Sequence, residues 1–354
     1  MKTRTLAITV GVLVVLVAAS VLVQRHRQGG AGDRMGQPLM GALDMSQAAR
    51  ITLESATTHT TLVATPQGWV VHEQGDFPAN QGKLSSFLFK LAGEKIGDKV
   101  SEDPASFGDL GELTLAENHG KAEQRKTATV ISVLDAQGKP LYQLLLGRDR
   151  NAGDMATSFG GRYVRFPGEN AVYLVGDNLY LTTDPVDWLS KSVMPDGVTD
   201  KSFQSIRVAV PGTAPLDFTR AKATEPWKLA GAKDLDPTQV DTLARNLMQL
   251  ELATVPAPGK SAQELGRTRM GTVLAHLYDG RSLRLEVGMA KGPDGYRYLS
   301  SSASLDPKVN DANLKKAVEA YNATFGNRVV GIQDFDAGHL LRARREFMAQ
   351  KKSK

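Results

Sequence analysis

Cysteine does not occur anywhere in this 354-residue chain. Its absence excludes disulfides, thiolate metal sites and a cysteine nucleophile, and removes the lipid-bearing cysteine of a bacterial lipoprotein. Histidine is scarce: His26, His59, His72, His119, His276 and His339 are all there are, and no two stand at ligand spacing. His72 and His276 fall in predicted strands, where a surface or half-buried imidazole is far commoner than a ligand. The patterns HExxH, GxSxG and the Walker loop are missing, so zinc proteases, α/β-hydrolases and P-loop enzymes lack their signatures. The glycine turns "FGGR" (159–162) and "GDNLYL" (176–181) are too short to cradle phosphate. No cofactor or metal is expected.

Net positive charge is confined to the ends. The net charge is +5, and "RARREFMAQKKSK" (342–354) accounts for all of it. Without Lys2, Arg4, Arg25 and Arg27 as well, residues 28–341 stand at about −4. A mildly acidic body is poor material for a phosphate-binding surface, so nucleic acid is not an expected partner. The basic end is expected to be a solvated tail.

Long apolar runs are also rare, with one exception. Thr5 to Val23, "TLAITVGVLVVLVAASVLV", carries no charge. As a helix it would span about 28 Å, close to the hydrocarbon thickness of a bilayer. Val17-Ala18-Ala19 could serve signal-peptide cleavage, but the run continues past it to Gln24-Arg25-His26-Arg27, and that length favours an uncleaved anchor. Basic residues flank both ends, so the positive-inside rule is nearly tied. A short leading tail before a long polar body points to an exported body in the bacterial inner membrane.

The acidic pairs Asp184/Asp187, Asp234/Asp236 and Asp334/Asp336 lack the spaced oxygens of a calcium loop. Asp236 before Pro237 and Asp184 before Pro185 are better placed as helix caps.

Strand and helix patterns occur twice in one order. Ile51-Thr52-Leu53-Glu54, Thr61-Leu62-Val63 and Trp69-Val70-Val71 answer to Ile206-Arg207-Val208-Ala209, Leu216-Asp217-Phe218 and Trp227-Lys228-Leu229. Pro78-Ala79-Asn80 and Asp236-Pro237-Thr238 then precede apolar residues at helical spacing, Leu84, Leu88 and Leu91 against Val240 or Leu243, Leu247 and Leu250. "TATVISVLDAQGKPLYQLLLG" and "MGTVLAHLYDGRSLRLEVG" each predict a hairpin ending in glycine, at Gly147 and Gly288. Gly161-Arg162-Tyr163-Val164 and Gly295-Tyr296-Arg297-Tyr298 supply one further strand each. A helix carrying Trp188 closes the first set, and a final helix reaching Arg345 closes the second.

The expected class is therefore α+β: two tandem similar units, each a small, mainly antiparallel sheet packed with helices, preceded by one transmembrane helix. The expected divisions are an anchor at 1–27, a Gly-rich flexible linker at 28–48, units at 49–197 and 198–341, and the basic tail at 342–354. Tyr163, Tyr173, Tyr296 and Tyr298 are candidates to line a groove between the units.

The apolar segment, "ARITLE", "GWVVHEQGDFPANQGKLSSFLFKLAGEKI", "PWKLAGAKDLDPTQVDTLARNLMQLELATV" and "RVVGIQDFDAGHLL" together resemble the bacterial domain of unknown function family 4340. The resemblance covers most of residues 49–345 and brings no catalytic residues. It implies a single-pass envelope protein associated with ABC-type transporter components of the gliding-motility kind. The expectation is a non-enzymatic auxiliary binding or scaffolding subunit with a protein partner in the envelope. The alternatives are a periplasmic module binding cell-wall polymer or a small solute, and an envelope hydrolase.

Overall fold

The computed structural model describes residues 34–150, 160–176 and 179–349. The chain forms two compact units, dividing between Ser190 and Lys191. Both are built on antiparallel sheets with a few helices, an α+β fold.

In the first unit the strands are β1 (Arg50–Glu54), β2 (His59–Thr65), β3 (Gly68–Val71), β4 (Phe77–Pro78), β5 (Ile96–Ser101), β6 (Thr129–Leu134), β7 (Pro140–Asp149), β8 (Arg162–Arg165) and β9 (Val172–Val175). They lie in the order β4-β3-β2-β1-β6-β7-β8-β9-β5. Register sets Ile51 opposite Leu62 and Val133, and Leu53 opposite Ile131, which faces Leu144 in turn. Alternation thus gathers these buried side chains on one face. The β6–β7 turn is closed by Asp135, whose carboxylate accepts from Gln137 and Lys139 N–H, with Gly138 at φ 81°.

Helix α1 (Gln81–Gly93) starts at Asn80, whose side chain accepts from Lys83 N–H. It buries Leu84, Phe87, Leu88 and Leu91 along one stripe, each worth roughly 1.5–3 kcal/mol. Gln81 ties its start to Trp69 on β3, and its end leads into β5 at the opposite edge of the sheet. Trp188 is buried edge-on to Phe87, 5.6 Å between centroids, and its indole N–H donates to Thr182 O. The helix expected around Trp188 is a single 3-10 turn, Pro185–Trp188, capped by Asp184.

The linker expected at 28–48 is corrected from Arg34 onward. Gly36 N–H donates to Ile96 O at 2.7 Å, Ile96 N–H to Gln37 O at 2.9 Å and Leu39 N–H to Glu94 O at 2.8 Å. Leu39 is 1% exposed and its carbonyl accepts from the Tyr142 hydroxyl. Glycines around the Leu39-Met40 pair hide its apolar content, which is what the fold buries. The anchor expected at 5–23 lies outside the described residues. Among the described residues no helix is long and apolar enough to cross a membrane.

The second unit carries β10 (Phe203–Ala209), β11 (Leu216–Thr219), β12 (Lys228–Leu229), β13 (Met270–Leu277), β14 (Arg281–Gly288), β15 (Arg297–Leu305) and β16 (Val329–Ile332). Their order is β12-β11-β10-β13-β14-β15-β16. The remaining helices are α2 (Phe107–Leu110) in the first unit, and α3 (Pro237–Met248), α4 (Ala312–Phe325) and α5 (Asp334–Leu340) in the second. Asp236 caps α3 with Pro237 in the first turn. Strand β16 pairs with β15 only over Arg297–Ser300. Beyond it, the Asn322 amide on α4 both accepts from Ala303 N–H and donates to Ala303 O, each at 2.8 Å, replacing one rung of the missing strand.

The tail expected at 342–354 is corrected as far as Ala349, and α5 ends at Leu340 instead of reaching Arg345. Phe347 is fully buried, 4.7 Å from Phe218 between ring centroids, and its carbonyl accepts from Asp236 N–H. Arg342 spans Gln239 and Glu346 and lies over the Phe347 ring. One buried aromatic among six bases outweighs their solvation, because the arginine stem and face pack on that ring.

Candidate functional site

The densest buried charge in the first unit gathers where the segment preceding β6 crosses the end of the β6–β7 hairpin. Helix α2 stops at Gly111, which adopts φ 71°, and Glu112 N–H turns back to Phe107 O at 2.8 Å. This drops the Glu112 side chain onto Gly147 of β7. A Cβ at Gly147 would stand 2.5 Å from Glu112 Oε1 and 2.6 Å from Leu110 O, so only glycine admits the crossing. Glu112 is 0% exposed, and neither carboxyl oxygen has a hydrogen bond of ordinary geometry.

Arg165 of β8, 3% exposed, lies beside it. Its Nη2 donates to Glu112 O at 2.7 Å and to Glu117 Oε2 at 2.6 Å, and its guanidinium covers the Phe107 ring at 4.1 Å. Arg162 donates to Gly147 O and Leu179 O, 3.8 Å from Asp149. Burial pushes the Glu112 carboxyl well above the usual range, against the pull of Arg165, the Gly147 amide and Arg162. Burial also raises Glu117, but the Arg165 hydrogen bond and the Thr114 amide and hydroxyl bring it below its ordinary value. Burial holds Arg162 below its usual value. One guanidinium thus holds the Glu117 carboxylate and the Glu112 backbone carbonyl, with the Glu112 carboxyl favouring its proton and Glu117 ionised. Such a split suits acid–base chemistry, and the Glu112 carboxyl is fully buried where the segment crosses Gly147.

The second unit has its own crossing. Gly266, at φ 65°, precedes Arg267, and a Cβ at Gly288 would lie 2.8 Å from Gly266 O and 3.2 Å from Arg267 Cγ. Arg267 Nη2 donates to Ser300 Oγ at 2.7 Å, and burial holds this guanidinium below its usual value. Arg297 reaches Gly288 O and Met289 O while its Nε binds Asp334 at 2.7 Å. Lys291 first, then Arg297, hold Asp334 below the ordinary carboxylate range.

The model of the family described as Domain of unknown function (DUF4340) matches residues 69–267, from Trp69 on β3 to Arg267. The chain belongs to the DUF4340 family. No curated protein and no solved structure matches it at a significant level.

The tyrosines of this DUF4340 chain do not form one set. Tyr163 pairs with Leu174 and Tyr173 with Val164, so the two project from opposite faces of their sheet. Tyr173 is 4% exposed, and its hydroxyl sits 3.5 Å from Arg34 N. Tyr298, 2% exposed, donates to Asp294, with burial and that carboxylate raising its pKa. Tyr296 and Tyr298 flank Gly331, where a Cβ would lie 3.4 Å from Tyr296 Cβ and 3.2 Å from the Tyr298 ring. Tyr173 and Tyr298 are buried, whereas Tyr163 and Tyr296 are half-buried.

Among the described residues no group of three or more His, Asp or Glu is placed to hold a metal. His72 lies in a 3-10 turn beside Asp76, not in a strand, while His276 on β13 pairs with Ser282. Asp184 and Asp236 both cap, as their spacing suggested. A cavity of about 400 Å³ opens in the first unit between Met40, Leu43, Asp44, Gln47 and Leu141, and one of about 220 Å³ in the second against Arg284, Glu286 and Ser300–Ser302.

Sequence reasoning missed both crossings. The available signal was short: Asp109-Leu110-Gly111-Glu112 and Glu264-Leu265-Gly266-Arg267 each stand ahead of a hairpin, and Arg162-Tyr163-Val164-Arg165 matches Arg297-Tyr298-Leu299-Ser300.

Proposed function

We propose that this DUF4340 chain is a membrane-anchored, non-enzymatic envelope protein, an auxiliary binding or scaffolding subunit of a complex built around an ABC-type transporter. Residues 5–23 anchor it as a single pass in the bacterial inner membrane, and the body lies on the periplasmic side. On this reading the two units are tandem copies of one frame.

The observation that carries the reading is the shared strand order. The run β3-β2-β1-β6-β7-β8-β9 has its counterpart in β12-β11-β10-β13-β14-β15-β16. Helix α1 follows β1–β3 in one run, after the short β4, and α3 follows β10–β12 in the other, and the chain then pairs beside the last strand: β5 on β9, and Thr254 on Gly331 of β16. At matched points a connection crosses a hairpin glycine, with Glu112 in one copy and Arg267 in the other. A carboxyl exchanged for a guanidinium at one structural position supports a holding role over a chemical one. A frame used twice offers two surfaces for partners.

The cavity bounded by Met40, Leu43 and Leu141 favours a second reading, a periplasmic ligand-binding module for cell-wall polymer or a small solute. An envelope hydrolase would draw on Glu112 and Glu117, and the burial of Glu112 weighs against it. Protease added to intact spheroplasts tests the placement. Digestion of the body with survival of a membrane-bound stub is expected, and full protection of the body contradicts it.

A further inference from the structure

The chain enters the first unit at a defined place. Gly36 and Gln37 pair with Ile96 at the start of β5, Leu39 with Glu94 at the end of α1, and Arg34 binds Glu169 while covering the Phe166 ring at 4.0 Å. The entry point is thus the C-terminal end of α1. Ten residues, 24–33, separate this point from the apolar run. Fully stretched they reach no more than about 35 Å. The end of α1 therefore stays close to the place where an anchored chain leaves the bilayer.

That end of the helix is unlike an ordinary solvated face. Phe89 is 68% exposed, one turn before Gly93, and Met35 beside Gly36 is 48% exposed. The residues sharing the outer face with Phe89, namely Gly82, Ser85, Ser86, Ala92 and Gly93, carry no charge. On α3 of the second unit the outward positions are instead Thr238, Thr242 and Arg245. Lys90 and Lys95, both exposed, flank the Phe89 end, where they suit anionic headgroups. The nearby acids are engaged in part, since Glu94 accepts from Gly176 N–H and Glu102 pairs with Lys99.

We propose that the C-terminal end of α1, led by Phe89 and Met35, rests on the phospholipid surface from which the chain emerges. The inference depends on the anchor reading above. A tether this short holds the face at an effective concentration on the order of millimolar. A contact negligible for a free protein is occupied under that condition. The first unit is then fixed in orientation as well as in distance.

The absence of cysteine makes the test clean, because each introduced thiol is the sole one. The full chain is reconstituted in vesicles of phosphatidylethanolamine and phosphatidylglycerol, and flotation is measured first. An environment-sensitive fluorophore is attached at Ala92→Cys, or at Gln67→Cys on the β2–β3 turn at the other edge of the sheet. Nitroxide-bearing lipid should remove more than half of the emission at position 92 and little at 67. Adding Phe89→Ser should restore emission at 92. Equal quenching at both positions overturns the proposal. So does a label at 92 shielded from aqueous iodide but untouched by the lipid nitroxide, since a second copy then covers the face. A chain that fails to float overturns the anchor reading, and this inference with it.

Discussion

Replacing Gly147 by alanine tests the crossing at its tightest point. The added Cβ would lie 2.5 Å from Glu112 Oε1 and 2.6 Å from Leu110 O. Glu112 is a side-chain end, but its burial leaves it no solvent to retreat into. Leu110 O is backbone, so the segment from Phe107 to Glu112 must lift away from β7. Overpacking of this kind costs about 1–3 kcal/mol. For a unit of this size, about 2 kcal/mol corresponds to a melting shift of about 4–8 °C. Differential scanning calorimetry reads the shift, and hydrogen exchange at Glu112 N–H, which closes α2, should accelerate. Gly288→Ala, 2.8 Å from Gly266 O, should lower stability in the same direction through the second unit. Gly93→Ala, with open space around its Cβ, should be neutral or stabilise by about 0.4–1 kcal/mol. If Gly147→Ala melts like the parent while Gly93→Ala behaves as stated, the crossing bears no strain and the reasoning is refuted.

Glu112 also predicts a pH dependence. Its folded pKa lies above its unfolded value, so the folded state holds the extra proton and stability falls as pH rises from the ordinary glutamate range through the raised value. Glu112→Gln should flatten that slope in urea titrations run across pH and gain stability at the alkaline end, whereas an unchanged slope would place the proton elsewhere. Asn322→Ala leaves both Ala303 backbone groups without their partner and should cost roughly 1–3 kcal/mol, with faster exchange at Ala303 N–H. Phe347→Ala should cost about 3–5 kcal/mol in the second unit by denaturant unfolding, and a free tail there would make it silent.

Much of the frame was legible because its signals are local. The hairpins ending at Gly147 and Gly288, the caps Asn80, Asp184 and Asp236, and the buried stripes of α1 and α3 depend on neighbours a few residues away. What escaped depends on long-range partners. Leu39 and Phe347 sit in glycine-rich and basic surroundings, and among the groups that receive them are Tyr142 on β7 and Asp236 at the start of α3, distant in sequence. The opposite faces of Tyr163 and Tyr173 were hidden for a related reason. Alternation along β8 and β9 fixes the faces of Tyr163 and Tyr173, and the one-residue offset of their pairing appears only in the register. Glu112 was invisible as a site because a lone carboxylate after glycine looks like any turn until Arg165 and Gly147 are brought against it.

Crosslinking of the full chain in its native membrane, followed by identification of what it captures, tests the binding role most directly. The account predicts recovery, in reproducible proportion, of a transporter permease or companion subunit. Efficient crosslinking that returns only the chain itself would contradict it.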